Sequence, residues 1–311
     1  MSGQFQTAGA LASGGNLTLV AYSTPQDAYH AIIPLWQKTP AGKGWSISQS
    51  YGASGDQSRA VAAGLPADVV NFSTTPDGTR LVKAGLVASN WGHNAHDGLV
   101  NDSVVVFIVR TGNPKHIHTW ADLIKPGVSV LTPNPITSGG ARWNILAAYG
   151  AQIVQGKSKS AAAAYLKSFF KHVAVQDKSA RQALTTFQNG VGDVLLDYES
   201  EAVFARQHGV SRSYLIPKQT ILIQTPVAVI KTSSKRATAQ SFENFFWTPQ
   251  AQTVFAQHGF RPVVASVAKK FAKTFPRPAQ LFTINRFGGW TIANKVFFDP
   301  TTGIVAKAEQ P

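Results

Sequence analysis

The chain of 311 residues contains no cysteine. It can therefore form neither a disulfide framework nor a metal site that uses thiolate ligands. It also lacks any run of about 18 or more apolar residues, which excludes a helix that crosses a membrane. The first ten residues, MSGQFQTAGA, are too polar for a secretory signal peptide. We expect that an exported protein is represented here in mature or trimmed form, with the signal segment absent from this chain.

Acidic residues are scarce, because only 15 of them accompany 29 lysines and arginines and the net charge is +14. The excess lies beyond residue 102: residues 1–102 hold 5 basic and 6 acidic side chains, 103–218 hold 13 and 6, and 219–311 hold 11 and 3. A nucleic-acid-binding protein would concentrate this charge in a recognition helix or a basic tail. Here the lysines are scattered, so we predict no nucleic-acid partner. We interpret the charge as a basic surface that attracts anions over a distance.

Strands and helices alternate along the chain, and 44% of the residues are hydrophobic, which suffices for a sizeable core in two lobes. The predicted strands cover residues 17–22, 44–50, 67–72, 103–110, 127–131, 173–175, 192–198 and 220–230. The predicted helices include 27–38, 51–64, 76–84, 141–149, 161–171, 199–207 and 241–258. Pro226 indicates that the last strand is an edge or a crossover strand. The alternation predicts an α/β fold with parallel sheets, in which ligands bind at the carboxyl ends of strands.

Residues 132–144, TPNPITSGGARWN, lie between a predicted buried strand and a predicted helix. Two glycines allow the backbone to approach a bound group closely, and the first amides of a helix have no intrahelical acceptor. With the positive end of the helix dipole behind them, Ser138, Gly139 and Gly140 would form a seat for an anion. The alternative is an ordinary serine cap with a glycine-rich entry. The stretch is not a P-loop, because it lacks a Gly-Lys-Ser/Thr sequence.

Two other strand-to-helix turns, at residues 51–55 and 178–181, also place small hydroxyl residues at a helix start. Ser54 and Gln57 have the spacing of a capping box, and the segment 179–182 repeats it. Since ligands bind beyond the carboxyl ends of strands in such folds, all three turns are candidate ligand contacts.

Three segments of the chain resemble the sulfate- and thiosulfate-binding proteins that serve ABC importers. They are residues 132–144, QSYGASGDQ at 49–57 and GDVLLDYESEA at 192–202. The likeness runs in order from about residue 17 to residue 298. It implies an α/β, periplasmic-binding-protein-like (type II) fold, in which two doubly wound lobes are joined by two crossover segments and hold an anion between them.

The resemblance also implies a domain organisation and a role. The first lobe would comprise residues 16–102 and 219–311, and the second lobe residues 103–218. Residues 1–15, which are rich in glycine, alanine, serine and glutamine, are predicted to be disordered. The implied protein is extracytoplasmic, in the periplasm or anchored at the cell surface, and captures sulfate or thiosulfate for an ABC transporter permease. We expect a monomer that needs no cofactor or metal and catalyses no reaction.

The family's sulfate donors can be carried across by position. They fall on the amide of Ser54, the hydroxyl of Ser138, the amides of Gly139 and Gly140, and the amide of Ala180. Ser23, Gly55 and Tyr198 complete the predicted set of ligand residues. Arg142 and Arg181 match family arginines behind the site, with an ordinary surface ion pair as the alternative for each.

The chain departs from the family pattern at three positions. Tyr198 occupies a place that is often tryptophan, so a phenol that can donate and accept would replace an indole donor. Alternatively, Tyr198 is simply a packed aromatic residue at a strand end. Ser23 replaces an aspartate of several members, and Ile136 replaces a common lysine. Molybdate, tungstate and phosphate therefore remain alternative ligands.

An enzyme that uses the anion seat for a sulfate or phosphate ester is the competing class of function. It would need a nucleophile with a base, or a metal. His116 and His118 lack a third nearby ligand, which favours an ordinary loop. The single acidic cluster, which we explain by capping of helix starts, consists of Asp193, Asp197, Glu199 and Glu201.

Overall fold

The structure is a computed structural model that describes residues 14–210 and 213–310. Its strands are β1 (Gly15–Tyr22), β2 (Trp45–Gly52), β3 (Val69–Asn71), β4 (Leu99–Val109), β5 (Val130–Leu131), β6 (Val173–Val175), β7 (Val194–Tyr198), β8 (Ser213–Leu215), β9 (Gln219–Val229) and β10 (Gln280–Phe282). Its helices are α1 (Gln26–Gln37), α2 (Ser54–Ala62), α3 (Thr75–Lys83), α4 (Gly139–Val154), α5 (Lys159–His172), α6 (Ala180–Gln188), α7 (Glu199–Gln207), α8 (Arg236–Phe245), α9 (Pro249–Gln257), α10 (Ala265–Lys270), α11 (Gly289–Phe297) and α12 (Ile304–Ala308). Two 3-10 helices cover Trp120–Ile124 and Ile284–Phe287. Of the segment predicted to be disordered, residues 1–13 lie outside the described residues, and Gly15 begins β1.

Paired strands follow one another in the order β2-β1-β3-β9-β4-β7-β5-β6. At one end β1 pairs in parallel with β2 and β3, and at the other end β5 pairs in parallel with β6 and β7. The central pairs β3–β9, β9–β4 and β4–β7 are antiparallel. Each end is therefore a parallel α/β unit of the kind that the alternating sequence predicts.

The long strands β4 and β9 connect the two parallel units. In β4, residues 99–104 pair with β9, whereas residues 105–109 pair with β7. In β9, residues 227–229 pair with β3 and residues 222–226 pair with β4. The predicted strand 220–230 is thus a crossover strand and not an edge strand. Pro226 is tolerated there because it lies at a register shift of the β4–β9 pair.

The C-terminal helices pack against the unit that contains residues 103–218. Helix α12 contacts α5, and α11 lies against α4. The rings of Phe297 and Tyr149 are 4.9 Å apart, and those of Trp290 and Trp143 are 4.7 Å apart. No helix in the described ranges is both long and apolar enough to cross a membrane.

Local sequence signals fix several helix ends. Helix α7 has the predicted bounds, and the predicted helix 241–258 divides into α8 and α9 around the proline that begins α9. Gly259 follows the C-cap of α9 with φ +85°, which is the left-handed conformation that favours glycine. Helix α4 begins two residues earlier and ends five residues later than predicted, at Gly139 and Val154.

Candidate functional site

A small cavity lies at the carboxyl ends of β1 and β7, whose last residues are Tyr22 and Tyr198. Its volume is about 10 Å³, far below the roughly 300–1,000 Å³ of pockets for drug-sized ligands. The lining comprises Tyr22, Ser23, Ala53, Ser54, Ser73, Ser138, Gly139, Gly140, Ser179, Ala180 and Tyr198. This lining includes no aspartate or glutamate, so amides and hydroxyls dominate it. The cavity suits a small anion.

The start of α4 provides one hydroxyl and two backbone amides as hydrogen-bond donors. Ser138 is the N-cap, and its Oγ accepts a hydrogen bond from Ala141 N at 3.4 Å. The hydroxyl proton of Ser138 has no acceptor within the described part of the chain, so it can be donated to an ion. Gly139 and Gly140 add first-turn amides, which lack intrahelical acceptors. Space requires glycine here, because a Cβ on Gly139 would lie 2.5 Å from Ser73 Oγ.

The start of α6 brings Ala180 to the cavity. Ser179 is the N-cap, and its Oγ accepts from Gln182 N at 3.3 Å, which is one half of the predicted capping box. Ala180 is buried, and its backbone N–H belongs to the first turn.

Arg181 lies behind Ala180 and does not line the cavity. Its Nε and Nη2 donate to the carboxylate of Glu201 at 2.8 and 2.9 Å, and its Nη1 donates to Asp27 at 3.1 Å. Burial by itself lowers the pKa of Arg181, but the two carboxylates outweigh burial and the pKa is raised. Arg181 is therefore a permanent cation that links α6 to α1.

The start of α2 differs from its prediction. Ala53 is the N-cap, and no side chain caps the helix. Ser54 Oγ instead donates to the buried carboxylate of Asp77 at 2.7 Å and accepts from Ser73 N at 2.9 Å. The predicted capping box of Ser54 and Gln57 was wrong, because Ala53 and not Ser54 is the N-cap, and Ser54 Oγ accepts from Ser73 N instead of an amide of its own helix. Ser54 therefore has only its amide left to offer to the cavity.

Tyr198 is both a packed aromatic residue and a hydrogen-bonding group. Its OH lies 2.5 Å from Ser73 Oγ, and both residues are buried. Burial raises the pKa of Tyr198 well above its ordinary value, so the phenol keeps its proton. The ring also packs tightly against the backbone of α4, because a Cβ on Gly140 would lie 2.8 Å from it.

The structure brings most of the predicted ligand residues together. Seven of them line the cavity: Ser23, Ser54, Ser138, Gly139, Gly140, Ala180 and Tyr198. Gly55 does not, because its amide donates to the carbonyl of Thr137 at 2.9 Å. Four further lining residues are absent from the predicted ligand set: Tyr22 and Ser73, and also Ala53 and Ser179, which belong to two of the predicted turns. In the sequence, only their positions near strand ends and helix starts indicated that they could line the cavity.

Hydrogen bonds tie residues 16–102 to residues 103–218 around the cavity. Besides the bond from Gly55 to Thr137, Arg59 donates to the carbonyl of Ile136 at 3.3 Å. Trp143 Nε1 donates to the carbonyl of Ser73 at 2.9 Å. The side chain of Ile136 is 69% exposed, so its exchange for the family's lysine changes the rim and not the cavity. These bonds hold the two segments against each other around the cavity.

Arg142 also lies outside the cavity. Its Nε donates to the carbonyl of Pro135 at 2.9 Å, and its Nη1 donates to Asn294 at 3.2 Å. Burial lowers the pKa of Arg142. Arg142 therefore fixes the loop before α4 against α11, and the predicted alternative of a surface ion pair does not describe it.

The acidic cluster does not cap helix starts, so that prediction was wrong. Helix α7 has no side-chain cap, and Glu199 and Glu201 are ion-paired with Arg261 at 2.6 Å and Arg181 at 2.8 Å. Asp193 and Asp197 accept hydrogen bonds from backbone amides. Within residues 14–210 and 213–310, no group of three or more histidine or carboxylate side chains could hold a metal ion.

Comparisons with known proteins agree with this geometry. A family model described as bacterial extracellular solute-binding protein matches residues 17–261. A sulfate-binding protein of Synechococcus elongatus is 40% identical over 92% of this chain and 86% of its own length. A thiosulfate-binding protein of Pseudomonas aeruginosa is 35% identical over 93% of this chain and 91% of its own length.

Among solved structures, the sulfate-binding protein SubI of Mycobacterium tuberculosis H37Rv is similar with a TM-score of 0.89 and 45% identity. The match covers 91% of this chain and 99% of that chain. The predicted α/β, periplasmic-binding-protein-like (type II) fold is confirmed.

Proposed function

The chain belongs to the bacterial extracellular solute-binding proteins, and from this premise we propose that it captures sulfate for an ABC importer. Thiosulfate is the second ligand of the proposal, because relatives named for each anion are similar over most of this chain. The proposed place of action is outside the cytoplasm, either in the periplasm or at the cell surface. The proposed partner is the permease of the importer, and the proposed state is a monomer.

One observation carries the proposal: three helix starts and a serine hydroxyl converge on a cavity that has no carboxylate in its lining. The amides of Ser54, Gly139, Gly140 and Ala180 would donate to the oxygens of the anion, together with the hydroxyl of Ser138. Each helix also directs the positive end of its dipole toward the cavity. Such fixed donors stabilise a buried dianion without placing a full positive charge beside it.

The same donors favour sulfate over phosphate. At neutral pH sulfate carries no proton, whereas phosphate usually does, and that proton needs an acceptor. Two carboxylates contact residues of the lining: Asp77 accepts from Ser54, Thr74 and Arg80, and Asp197 accepts from the amide of Tyr198. A buried phosphate O–H without a partner would cost about 1–3 kcal/mol. Molybdate lacks such a proton and is the proposed weaker ligand.

The proposed lobes are residues 16–102 with 219–311 and residues 103–218, with α11 and α12 extending from the first lobe onto the second. The pairing of β4 and β9 supports two crossovers near these boundaries. The proposed ligand contacts divide between the lobes, with Ser23 and Ser54 on the first and Ser138 to Gly140 and Ala180 on the second. An anion that all of them bind must favour the closed arrangement, because only there are all the donors engaged.

The family consists of binding proteins for transport, which agrees with a protein that is not an enzyme. In support, the hydroxyl of Ser138 has no histidine, lysine or carboxylate within hydrogen-bond distance in the described chain, so no base would activate it as a nucleophile. Incubation with aryl sulfates and aryl phosphates tests this part of the proposal. Any turnover above that of buffer contradicts it.

Titration calorimetry at pH 7 tests the proposed ligand. Protein that has been unfolded, dialysed and refolded to remove bound ions is titrated with sulfate, thiosulfate, molybdate and phosphate, and with chloride as the control. We expect sulfate or thiosulfate to bind at least about 10-fold more tightly than phosphate. Equal affinity for phosphate and sulfate would mean that an acceptor lies in the site and would contradict the assignment.

A further inference from the structure

The hydroxyls of Ser73 and Tyr198 form a pair at the wall of the cavity. The two oxygens are 2.5 Å apart, and both residues belong to the lining. The pair also lies against the glycines that start α4: a Cβ on Gly139 would be 2.5 Å from Ser73 Oγ, and one on Gly140 would be 3.1 Å from Tyr198 OH. Because both glycines and both hydroxyl residues line the same small cavity, an anion held there by the two amides would be next to both hydroxyls.

The Ser73–Tyr198 pair has one more hydroxyl proton than the hydrogen bond between the two residues uses. The backbone groups of Ser73 are occupied, because its N–H donates to Ser54 Oγ and its carbonyl accepts from Trp143 Nε1. The two hydroxyls together carry two protons, and the bond between them uses one. The second proton has no acceptor in residues 14–210 or 213–310. It is therefore available to a ligand in the cavity.

Either oxygen can carry this second proton. If Ser73 donates to Tyr198, the phenol proton is free, and if Tyr198 donates to Ser73, the serine proton is free. Hydroxyl protons rotate between such arrangements without movement of heavy atoms. An indole at position 198 could not do this, because it only donates.

We propose that Ser73 and Tyr198 act as one exchangeable hydrogen-bond donor to the bound anion, and that either hydroxyl can make this bond. This inference rests on the proposed function, because it assumes that the cavity holds sulfate. It assigns to Ser73 a role in ligand binding that its position after β3 did not predict. Because Ser73 precedes residue 103 and Tyr198 follows it, the pair also joins the two proposed lobes at the ligand.

If either hydroxyl can bind the anion, the single variants and the double variant should differ in sulfate affinity in a specific way. In Tyr198→Phe the Ser73 hydroxyl loses its partner and turns to the anion, so sulfate affinity should stay within about threefold. In Ser73→Ala the Tyr198 hydroxyl turns to the anion, so sulfate affinity should again stay within about threefold. Only the double variant lacks the donor, and its affinity should fall by about 10- to 100-fold, as for the loss of one charge-assisted hydrogen bond.

Sulfate titration calorimetry on the unmodified protein, both single variants and the double variant tests this pattern. The matched control is Tyr29→Phe with Ser200→Ala, which removes a buried phenol and a buried serine hydroxyl outside the cavity lining. The control should bind like the unmodified protein. If the unmodified protein does not bind sulfate, the proposed function fails, and this result is distinct from a failure of the pair.

Three outcomes would overturn the exchange. A Tyr198→Phe variant as weak as the double variant would make Tyr198 the sole donor, and an equally weak Ser73→Ala variant would make Ser73 the sole donor. A double variant within threefold of the unmodified protein would mean that neither hydroxyl binds the anion. If the double variant does not fold, Ser73→Cys with Tyr198→Phe replaces it, because a thiol fills the space and donates only weakly. The same loss is then expected, and the same outcomes overturn the proposal.

Discussion

The starts of α2 and α4 both line the cavity and look alike in sequence, because each places a serine among glycine and alanine. Their serine hydroxyls nevertheless have different chemistry. Ser138 Oγ only accepts, and from a single amide at 3.4 Å, so its proton remains available. Ser54 Oγ donates to Asp77 at 2.7 Å and accepts from Ser73 N at 2.9 Å. One hydroxyl can serve a ligand, whereas the other serves the fold.

A single distant carboxylate causes this difference. Asp77 is buried and follows Ser54 by 23 residues, and it also accepts from Thr74 Oγ1 and is paired with Arg80. Among the described residues, no buried carboxylate accepts a hydrogen bond from Ser138. Two similar motifs can therefore differ in function because of a partner elsewhere in the chain.

The largest effect should come from filling the space at the start of α4. In Gly139→Ala the new Cβ would lie 2.5 Å from Ser73 Oγ and 2.9 Å from Thr74. Overpacking of about 3 kcal/mol would weaken sulfate binding by roughly 100-fold. Small-angle scattering should then show no decrease in the radius of gyration with sulfate, in contrast to the unmodified protein.

Gly78→Ala is the matched control for this substitution. Gly78 also lies in a helix, but a Cβ there would contact nothing within 4 Å. This variant should bind and close normally. A Gly139→Ala variant that keeps its affinity within tenfold would contradict the close approach of Gly139 to Ser73 in the sulfate-bound protein.

Much of this comparison follows from the sequence, and part of it cannot. Alternation of strands and helices predicts the fold, and the turns at 137–140 and 178–181 contain local signals for a helix start. The role of Asp77 depends on a contact over 23 residues, and that of Ser73 depends on Tyr198, 125 residues away. Short-range patterns contain no information on such pairs. They also gave the wrong role for Ser54, whose hydroxyl binds Asp77 and Ser73 N instead of capping α2.

The second largest effect should come from the free hydroxyl of α4. Ser138→Ala removes a charge-assisted hydrogen bond of roughly 1.5–3 kcal/mol, which is about 10- to 100-fold in the dissociation constant for sulfate. The substitution also removes a helix cap, so a control must separate the two losses. Ser158→Ala removes the equivalent cap of α5 outside the cavity lining. Calorimetry should show weak sulfate binding only for Ser138→Ala, and normal binding by that variant would refute its role as a donor.

A smaller effect on sulfate affinity is expected from a substitution of Ser54, the serine at the start of α2. Since the Ser54 hydroxyl has no proton to spare, Ser54→Ala should change sulfate affinity by no more than about threefold. It should instead lower the free energy of unfolding by about 1–3 kcal/mol, because Asp77 and Ser73 N each lose a partner. Chemical denaturation without sulfate measures the second quantity. An affinity loss as large as that of Ser138→Ala would remove the proposed difference between the two starts.

No effect on sulfate affinity is expected from a substitution of Glu243, a carboxylate outside the cavity lining. This substitution provides the baseline for the others. Glu243 on α8 is 5% exposed, and burial raises its pKa from 4.5 to about 7. The folded state therefore holds this proton more tightly than the unfolded state, so stability is lost as pH rises from about 4.5 to 7. Glu243→Gln removes this loss and should raise the free energy of unfolding by roughly 1–3 kcal/mol at pH 8, with little change at pH 4. Chemical denaturation at the two pH values, together with sulfate titration at pH 7, checks both parts. A gain that is equal at pH 4 and pH 8 would contradict the raised pKa, and a changed sulfate affinity would show that the cavity responds to substitutions far from its lining.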